Sequence, residues 1–118
     1  MVGNQLILHR KLIDRLAYAH DASVYRLVPE AVARPENESD VKDLLEYAIS
    51  SGTSVTFRTA GTSLSGQTVT KGIIAEVVRG WKRHEILDNG AAIQLQPGVI
   101  GGRSNLYLQP YHRRIGPD

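Results

Sequence analysis

The chain has 118 residues, of which 42% are hydrophobic and 22% charged, and it carries a formal net charge of +2. This length is enough for one small globular domain with a modest core, and it excludes a large multidomain enzyme within these residues. No apolar run approaches the roughly 20 residues that span a bilayer, and the chain contains no cysteine, which excludes disulfides and thiolate metal sites and is consistent with a cytoplasmic location.

The N-terminal part predicts a helix. Between Asn4 and Tyr18, four apolar residues recur at helical spacing, and residues 1–20 are assigned to this amphipathic helix. The four residues are Leu8, Leu12, Ile13 and Leu16. The stretch Asp21–Tyr25 is predicted to be a loop with a side-chain-capped turn, in which Tyr25 is half buried.

A strand and a well-defined helix follow. Glu30–Arg34 alternates in polarity and stops at Pro35, which predicts a short strand. Asn37 is a candidate N-cap and Gly52 a candidate C′ residue of the next helix. The apolar positions between them have helical spacing. They are Val41, Leu44, Leu45, Ala48 and Ile49.

The next predicted elements are the strands Ser54–Phe57 and Ile73–Val78, separated by a loop. The resulting order, β-α-β-loop-β, allows the first strands to lie parallel. Arg79–Arg83 is predicted to be a polar linker between two lobes. It divides a first lobe, residues 21–79, from a second lobe that starts at residue 80 and continues to residue 118.

The second lobe predicts a hairpin followed by a helix. His84–Leu87 and Ala91–Gln96 flank the turn signal Asp88-Asn89-Gly90, and Ile93 and Leu95 share one face. A helix is predicted over Val99–Leu108.

The loop between Phe57 and Thr68 is rich in small and hydroxylated residues, which let the backbone approach a ligand closely. Such a loop can direct successive N–H groups at a phosphate or pyrophosphate. Gly61 and Gly66 have the spacing of a nucleotide-triphosphatase loop, but Gln67 stands where that loop requires lysine. A Rossmann loop would open a helix, whereas a strand is predicted here. A strand–loop–strand phosphate binder and a plain connection without a ligand therefore both remain open.

The sequence offers little for other chemistry. The four histidines lack metal-ligand spacing, and no pair of carboxylates lies near the loop. Ser63 and Ser65 lie outside a nucleophile motif, so they are interpreted as hydroxyl donors and not as nucleophiles. No catalytic residue is assigned.

The stretch Arg58–Gln67 (Arg-Thr-Ala-Gly-Thr-Ser-Leu-Ser-Gly-Gln) resembles the pyrophosphate loop of FAD-linked oxidases with the vanillyl-alcohol-oxidase (PCMH) type of flavin domain. Three further stretches resemble the same family in the same order: Ala17–Arg26, Gln96–Gly102 and Ile115–Asp118. Together they look most like D-lactate dehydrogenases of the flavin and iron–sulfur type, and next like glycolate oxidase flavin subunits.

The resemblance implies an α+β, two-lobed FAD-binding fold, truncated within its second lobe, and a D-2-hydroxy acid as the substrate. It implies proton loss to a base and hydride transfer to FAD, with an iron–sulfur cluster only in a longer parent chain. Residues on both lobes would contact FAD. They are Ala60, Gly61, Thr62, Ser63, Leu64, Ser65, Gly66, Gln67, Pro97, Gly98, Pro117 and Asp118. The family's catalytic groups lie in a later domain, so this part alone is expected to bind FAD weakly and to be inactive.

The alternative is a non-catalytic, degenerate flavin half-domain that acts as a protein-interaction or nucleic-acid-binding module. The basic residues cluster at Trp81–His84 and His112–Arg114, and such small clusters are more often solvated surface than a nucleic-acid interface. No nucleic-acid partner is therefore expected. The resemblance implies FAD and a small 2-hydroxy acid as partners. A homodimer is possible, because it would cover exposed core residues.

Overall fold

The computed structural model describes residues 6–116. The chain forms two compact units, Met1–Val77 and Val78–Asp118. Whether they correspond to the two predicted cofactor-binding lobes stays a prediction. Helices and strands occur in both units, and the expected α+β class is confirmed. Within residues 6–116, no helix is long and apolar enough to cross a membrane.

A four-stranded sheet forms the centre of the first unit. Its strands are β1 (Leu8–His9), β2 (Ala31–Ala33), β3 (Val55–Arg58) and β4 (Ile73–Glu76), in the spatial order β1-β2-β4-β3. Strands β2, β4 and β3 are parallel, as predicted, and β1 is antiparallel to β2. The central strands are buried at Ala31–Ala33 and Ile73–Ala75, as expected for parallel strands covered on both faces.

Helix α2 (Glu38–Ser51) has the predicted boundaries. The Asn37 side chain accepts a hydrogen bond of 2.9 Å from the Asp40 backbone N–H, and Gly52 closes the helix at φ 68°. Leu44 is fully buried and packs with Ala31 and Ile73 of the sheet. The predicted apolar face is only partly correct, because Ile49 is 83% exposed.

The structure corrects the predicted N-terminal helix. Within the described residues, the helix here, α1, is limited to Leu12–Ala17. Leu8 pairs with Ala33 in strand β1, which satisfies the edge of β2 and places Leu6 in the core. Sheet pairing therefore overrides the helical spacing. The predicted face also fails to pack, since Ile13 is 77% exposed.

The second unit contains the predicted hairpin and helix. Strands β5 (His84–Leu87) and β6 (Ala92–Leu95) are antiparallel, and α3 spans Gly101–Leu108. The His84 and Tyr107 rings stack with their centroids 3.7 Å apart. The predicted polar linker contains a residue that packs, because Trp81 is buried.

We expect Asn37→Ala to lower the free energy of unfolding by about 1 kcal/mol, the usual cost of losing an N-cap. The mutation leaves the Asp40 N–H without its side-chain acceptor. Chemical denaturation of the two proteins measures the difference. Asn37→Asp keeps an acceptor and is expected to stay near the parent value, as is Ser39→Ala at an exposed position of the same turn. Equal losses for Asn37→Ala and Asn37→Asp would contradict the cap.

Candidate functional site

The small-residue loop connects the carboxyl end of β3 to the start of β4 and spans residues 59–72. We call it the glycine–serine loop. Because β3 and β4 are parallel, the chain must return along the sheet between them. The loop therefore begins at the carboxyl edge of the parallel strands, the edge at which open parallel sheets bind ligands.

The loop presents backbone donors at its first turn. Gly61 and Gly66 have φ values of 69° and 76°, a conformation that favours glycine. Within residues 6–116, no protein group accepts a hydrogen bond from the N–H groups of 61–64 or of Gly66. A run of N–H groups of this kind is suited to bind an anion.

Ser63 stabilises the loop internally. Its hydroxyl oxygen accepts hydrogen bonds from the backbone N–H groups of Ser65 and Gln67, at 3.4 and 3.3 Å. The hydroxyl donates to the Gln67 side chain. Ser63 and Gln67 thus hold the turn closed, whereas the Thr62 and Ser65 hydroxyls have no partner within residues 6–116.

A buried cation lies beneath the loop. Arg58, the last residue of β3, is only 8% exposed. Its Nη1 donates to the carbonyl oxygens of His20, at 2.7 Å, and of Tyr18, at 3.4 Å. The rest of the guanidinium lies against Gly61, where a Cβ atom would be 2.2 Å from Nη2. Its charge adds to the attraction of the loop for an anion.

Polar side chains gather where the three parallel strands end. Arg34 follows β2, Arg58 ends β3 and Glu76 ends β4. The Tyr18 hydroxyl donates to Glu76, and Arg34 forms a 3.3 Å ion pair with the same carboxylate. The guanidinium carbon of Arg34 lies 5.6 Å from the centre of the Tyr18 ring, and that of Arg58 lies 5.2 Å from it. This cluster fixes Tyr18 beside Arg58.

We expect the Tyr18 phenol to titrate above its ordinary pKa of 10.0. Burial raises the pKa first, and the hydrogen bond to Glu76 raises it further, while Arg34 partly opposes the shift. Since the folded state favours the protonated phenol, its contribution to stability is complete below pH 10 and is lost as the pH rises through the folded pKa.

Ultraviolet absorbance during an alkaline titration should show one of the five tyrosines ionising late. Tyr18→Phe should remove that late phase and reduce the loss of stability at high pH. Tyr25→Phe serves as the control. Retention of the late phase in Tyr18→Phe would contradict the assignment.

In the second unit, the candidate residues are Pro97 and Gly98, and Gly98 has a structural role. Its N–H donates to the Trp81 carbonyl at 2.7 Å. A Cβ on Gly98 would lie 2.5 Å from the backbone oxygens of Trp81 and Val78. Close backbone approach therefore requires glycine there, and contact of Pro97 and Gly98 with a cofactor stays a prediction. Pro117 and Asp118 lie outside the described residues.

Metal chemistry finds no support in the part of the chain that the structure describes. Residues 6–116 contain no group of three or more histidines and acidic residues that could hold a metal ion.

Comparison with known proteins identifies the family. The sequence pattern of a family described as "FAD binding domain" matches residues 29–118. The chain therefore belongs to this family of FAD-linked oxidases of the vanillyl-alcohol-oxidase type, as predicted, and the expected cofactor FAD is confirmed.

Among curated relatives, the chain is similar to the D-2-hydroxyglutarate dehydrogenases of Escherichia coli strain K12, at 33% identity over 109 residues, and of Pantoea ananatis, at 32%. Each match covers 89% of this chain and 11% of the relative, so the chain spans about a ninth of the length of these relatives.

Solved structures show the same fold. The 6-hydroxy-D-nicotine oxidase of Arthrobacter nicotinovorans superposes with a TM-score of 0.71 at 20% identity, covering 94% of this chain and 24% of that one. The BBE-like 1 protein of Physcomitrella patens gives 0.68 at 16% identity, covering 90% and 23%. At sequence identities this low, the similarity shows only that the fold is shared.

The glycine–serine loop has features that suit it to bind an anion. At one edge of the sheet it combines left-handed glycines, the buried Arg58 charge, and N–H groups that find no protein acceptor among residues 6–116. The sequence does not identify Arg58 as a site residue, because an arginine at a strand end gives no sign that its side chain is buried. The available signal was its position immediately before the loop, inside the stretch that resembles the family.

Proposed function

We propose that this chain supplies the pyrophosphate-binding segment of a longer FAD-dependent dehydrogenase that oxidises a D-2-hydroxy acid. The observation that carries the proposal is the row of N–H groups at 61–64 above the buried Arg58 guanidinium. Phosphate oxygens are the natural acceptors for such donors, and a guanidinium nearby offsets their charge.

In this proposal the residues of the loop bind and orient the cofactor. The N–H groups of 61–64 and Gly66 donate to phosphate oxygens, and the Thr62 and Ser65 hydroxyls add two donors. Ser63 and Gln67 preserve the shape of the turn. FAD, when bound, supplies the acceptor for the hydride that leaves the α-carbon of the substrate. No residue of this chain is assigned to proton transfer.

The substrate class rests on the names of the relatives. D-2-Hydroxyglutarate is the first candidate because the similar curated proteins are dehydrogenases of that acid. D-Lactate and glycolate share its 2-hydroxycarboxylate group and remain the second candidates. The protein that carries this chain should reduce a dye acceptor with one of these acids. L-2-Hydroxyglutarate and L-lactate serve as the controls for the two chiral acids, whereas glycolate is achiral. Failure with all of them would contradict the substrate class.

A chimera tests the cofactor role directly. This chain replaces the matched segment of the E. coli dehydrogenase, and the purified protein is assayed for flavin absorbance and for oxidation of D-2-hydroxyglutarate. We expect bound FAD and measurable turnover. A folded chimera without flavin would contradict the proposal.

A further inference from the structure

The segment Tyr18–Arg26, which we call the brace, lies against the glycine–serine loop. Its ends are joined by an antiparallel bridge between His20 and Arg26 and by a 3.0 Å hydrogen bond from the Leu27 N–H to the Ala19 carbonyl. The brace precedes residues 29–118, the part that matches the family. The stretch Ala17–Arg26 resembles the same family, but no chemical role is assigned to it.

The brace contacts the start of the loop through Arg58. The guanidinium donates to the His20 and Tyr18 carbonyls of the brace and also lies against Gly61. Because this side chain is buried, its position is determined by the brace. A shift of the brace would move the cation beneath the loop.

The brace contacts the second half of the loop through Asp21. One carboxylate oxygen accepts a 2.8 Å hydrogen bond from the Ser23 N–H, which fixes the side chain within the brace. The other accepts a 3.1 Å hydrogen bond from the Thr68 hydroxyl. The hydrogen bonds from Ser23 and Thr68 lower the pKa of Asp21, so it is charged at neutral pH.

The brace contacts the middle of the loop through Tyr25. Its ring lies directly on Gly66, where a Cβ would be 2.7 Å from Cδ2. The ring is otherwise largely exposed, at 57%, and not half buried as predicted. An open pocket of about 230 Å³ lies beside this contact, lined by Tyr25, Arg26, Leu27, Ser65, Gly66 and Val69.

We propose that the brace is a positioning element that holds the glycine–serine loop in its anion-binding shape before FAD binds. The inference rests on the proposed function of the loop. A loop rich in glycine and serine would otherwise lose much conformational entropy on binding, and fixing it at Gly61, Gly66 and Thr68 reduces that cost. In this proposal Asp21, Tyr25 and Thr68 are positioning residues, because each acts through the shape of the loop.

The test uses two variants and a matched control. Thr68→Val removes the hydroxyl that bonds Asp21 and keeps the side-chain shape, while Tyr25→Ala removes the ring on Gly66. Thr53→Val makes the same substitution outside the loop and the brace. Nitrogen-15 relaxation gives the backbone order parameters of residues 60–68 without cofactor, and NMR titration gives the dissociation constant for FAD.

We expect order parameters near 0.85 in the parent and the control, and below about 0.6 in the two variants. The dissociation constant for FAD should rise roughly tenfold in the variants, with the amide shifts of β2 and β4 unchanged. Unchanged order parameters in both variants would overturn the brace, whatever the affinity. Loss of FAD binding in Gly61→Asp tests the loop separately, so failure of the brace and failure of the proposed function give different results.

Discussion

Gly61→Asp is expected to weaken FAD binding on the order of a thousandfold. A carboxylate about 4 Å from a phosphate costs about 4 kcal/mol at an effective dielectric constant of 20. The new side chain would also meet the Arg58 guanidinium, which lies against this position, and would neutralise its charge. The flavin content of the chimera and its affinity for added FAD measure the loss, because the 118-residue chain alone is expected to bind FAD weakly.

Gly61→Asn is the matched control for this experiment. Asparagine has the shape of aspartate, tolerates a positive φ and carries no charge. The Asn variant therefore shares any backbone strain at φ 69°, and the difference between the two variants reports the charge. Riboflavin, which lacks the pyrophosphate, should bind both variants equally weakly. Equal FAD affinity for the Asp and Asn variants would contradict the pyrophosphate assignment.

Arg58→Met is expected to lower the free energy of unfolding by about 3 kcal/mol. Methionine retains an unbranched apolar stem but loses the hydrogen bonds to the His20 and Tyr18 carbonyls. A hydrogen bond to a charged group contributes about 1.5–3 kcal/mol, and a buried carbonyl left without a donor adds to the loss. Urea denaturation of the chain measures the change.

Arg34→Met distinguishes a buried cation from an exposed one. Both guanidinium groups flank the Tyr18 ring at similar distances, but the Arg34 side chain is 41% exposed in its pair with Glu76. An exposed ion pair contributes about 0–1 kcal/mol, so this variant should change stability little. Equal losses in the free energy of unfolding for Arg58→Met and Arg34→Met would contradict the view that burial makes Arg58 important for stability.

The difference between these two arginines has a functional consequence. Arg58 touches both the brace and the loop, so its removal should disturb cofactor binding as well as stability. Arg34 lies beyond the Tyr18 ring and should affect neither strongly. The carboxyl edge of the sheet thus contains one cation coupled to the loop and one that balances Glu76.

Elements whose signals are local can be predicted from the residues alone. Asn37 and Gly52 delimit α2 because capping depends on neighbouring backbone groups. The turn signal at Asp88-Asn89-Gly90 likewise defines the hairpin. The glycine–serine loop was recognised from composition and resemblance, because the need for small residues at a close backbone approach is visible in the residues themselves.

Features that depend on partners distant in the chain become visible only in the folded molecule. Strand β1 forms because the edge of β2 offers hydrogen bonds to Leu8 and His9, which helical spacing does not show. The same dependence applies to α2, where packing on the sheet buries Leu44 and leaves Ile49 exposed. Arg58 is buried, and Tyr18–Arg26 lies on the loop, because the fold brings together segments about 40 residues apart. The spacing of apolar residues along the chain indicates which of them can be buried. Long-range packing determines which partner covers each one.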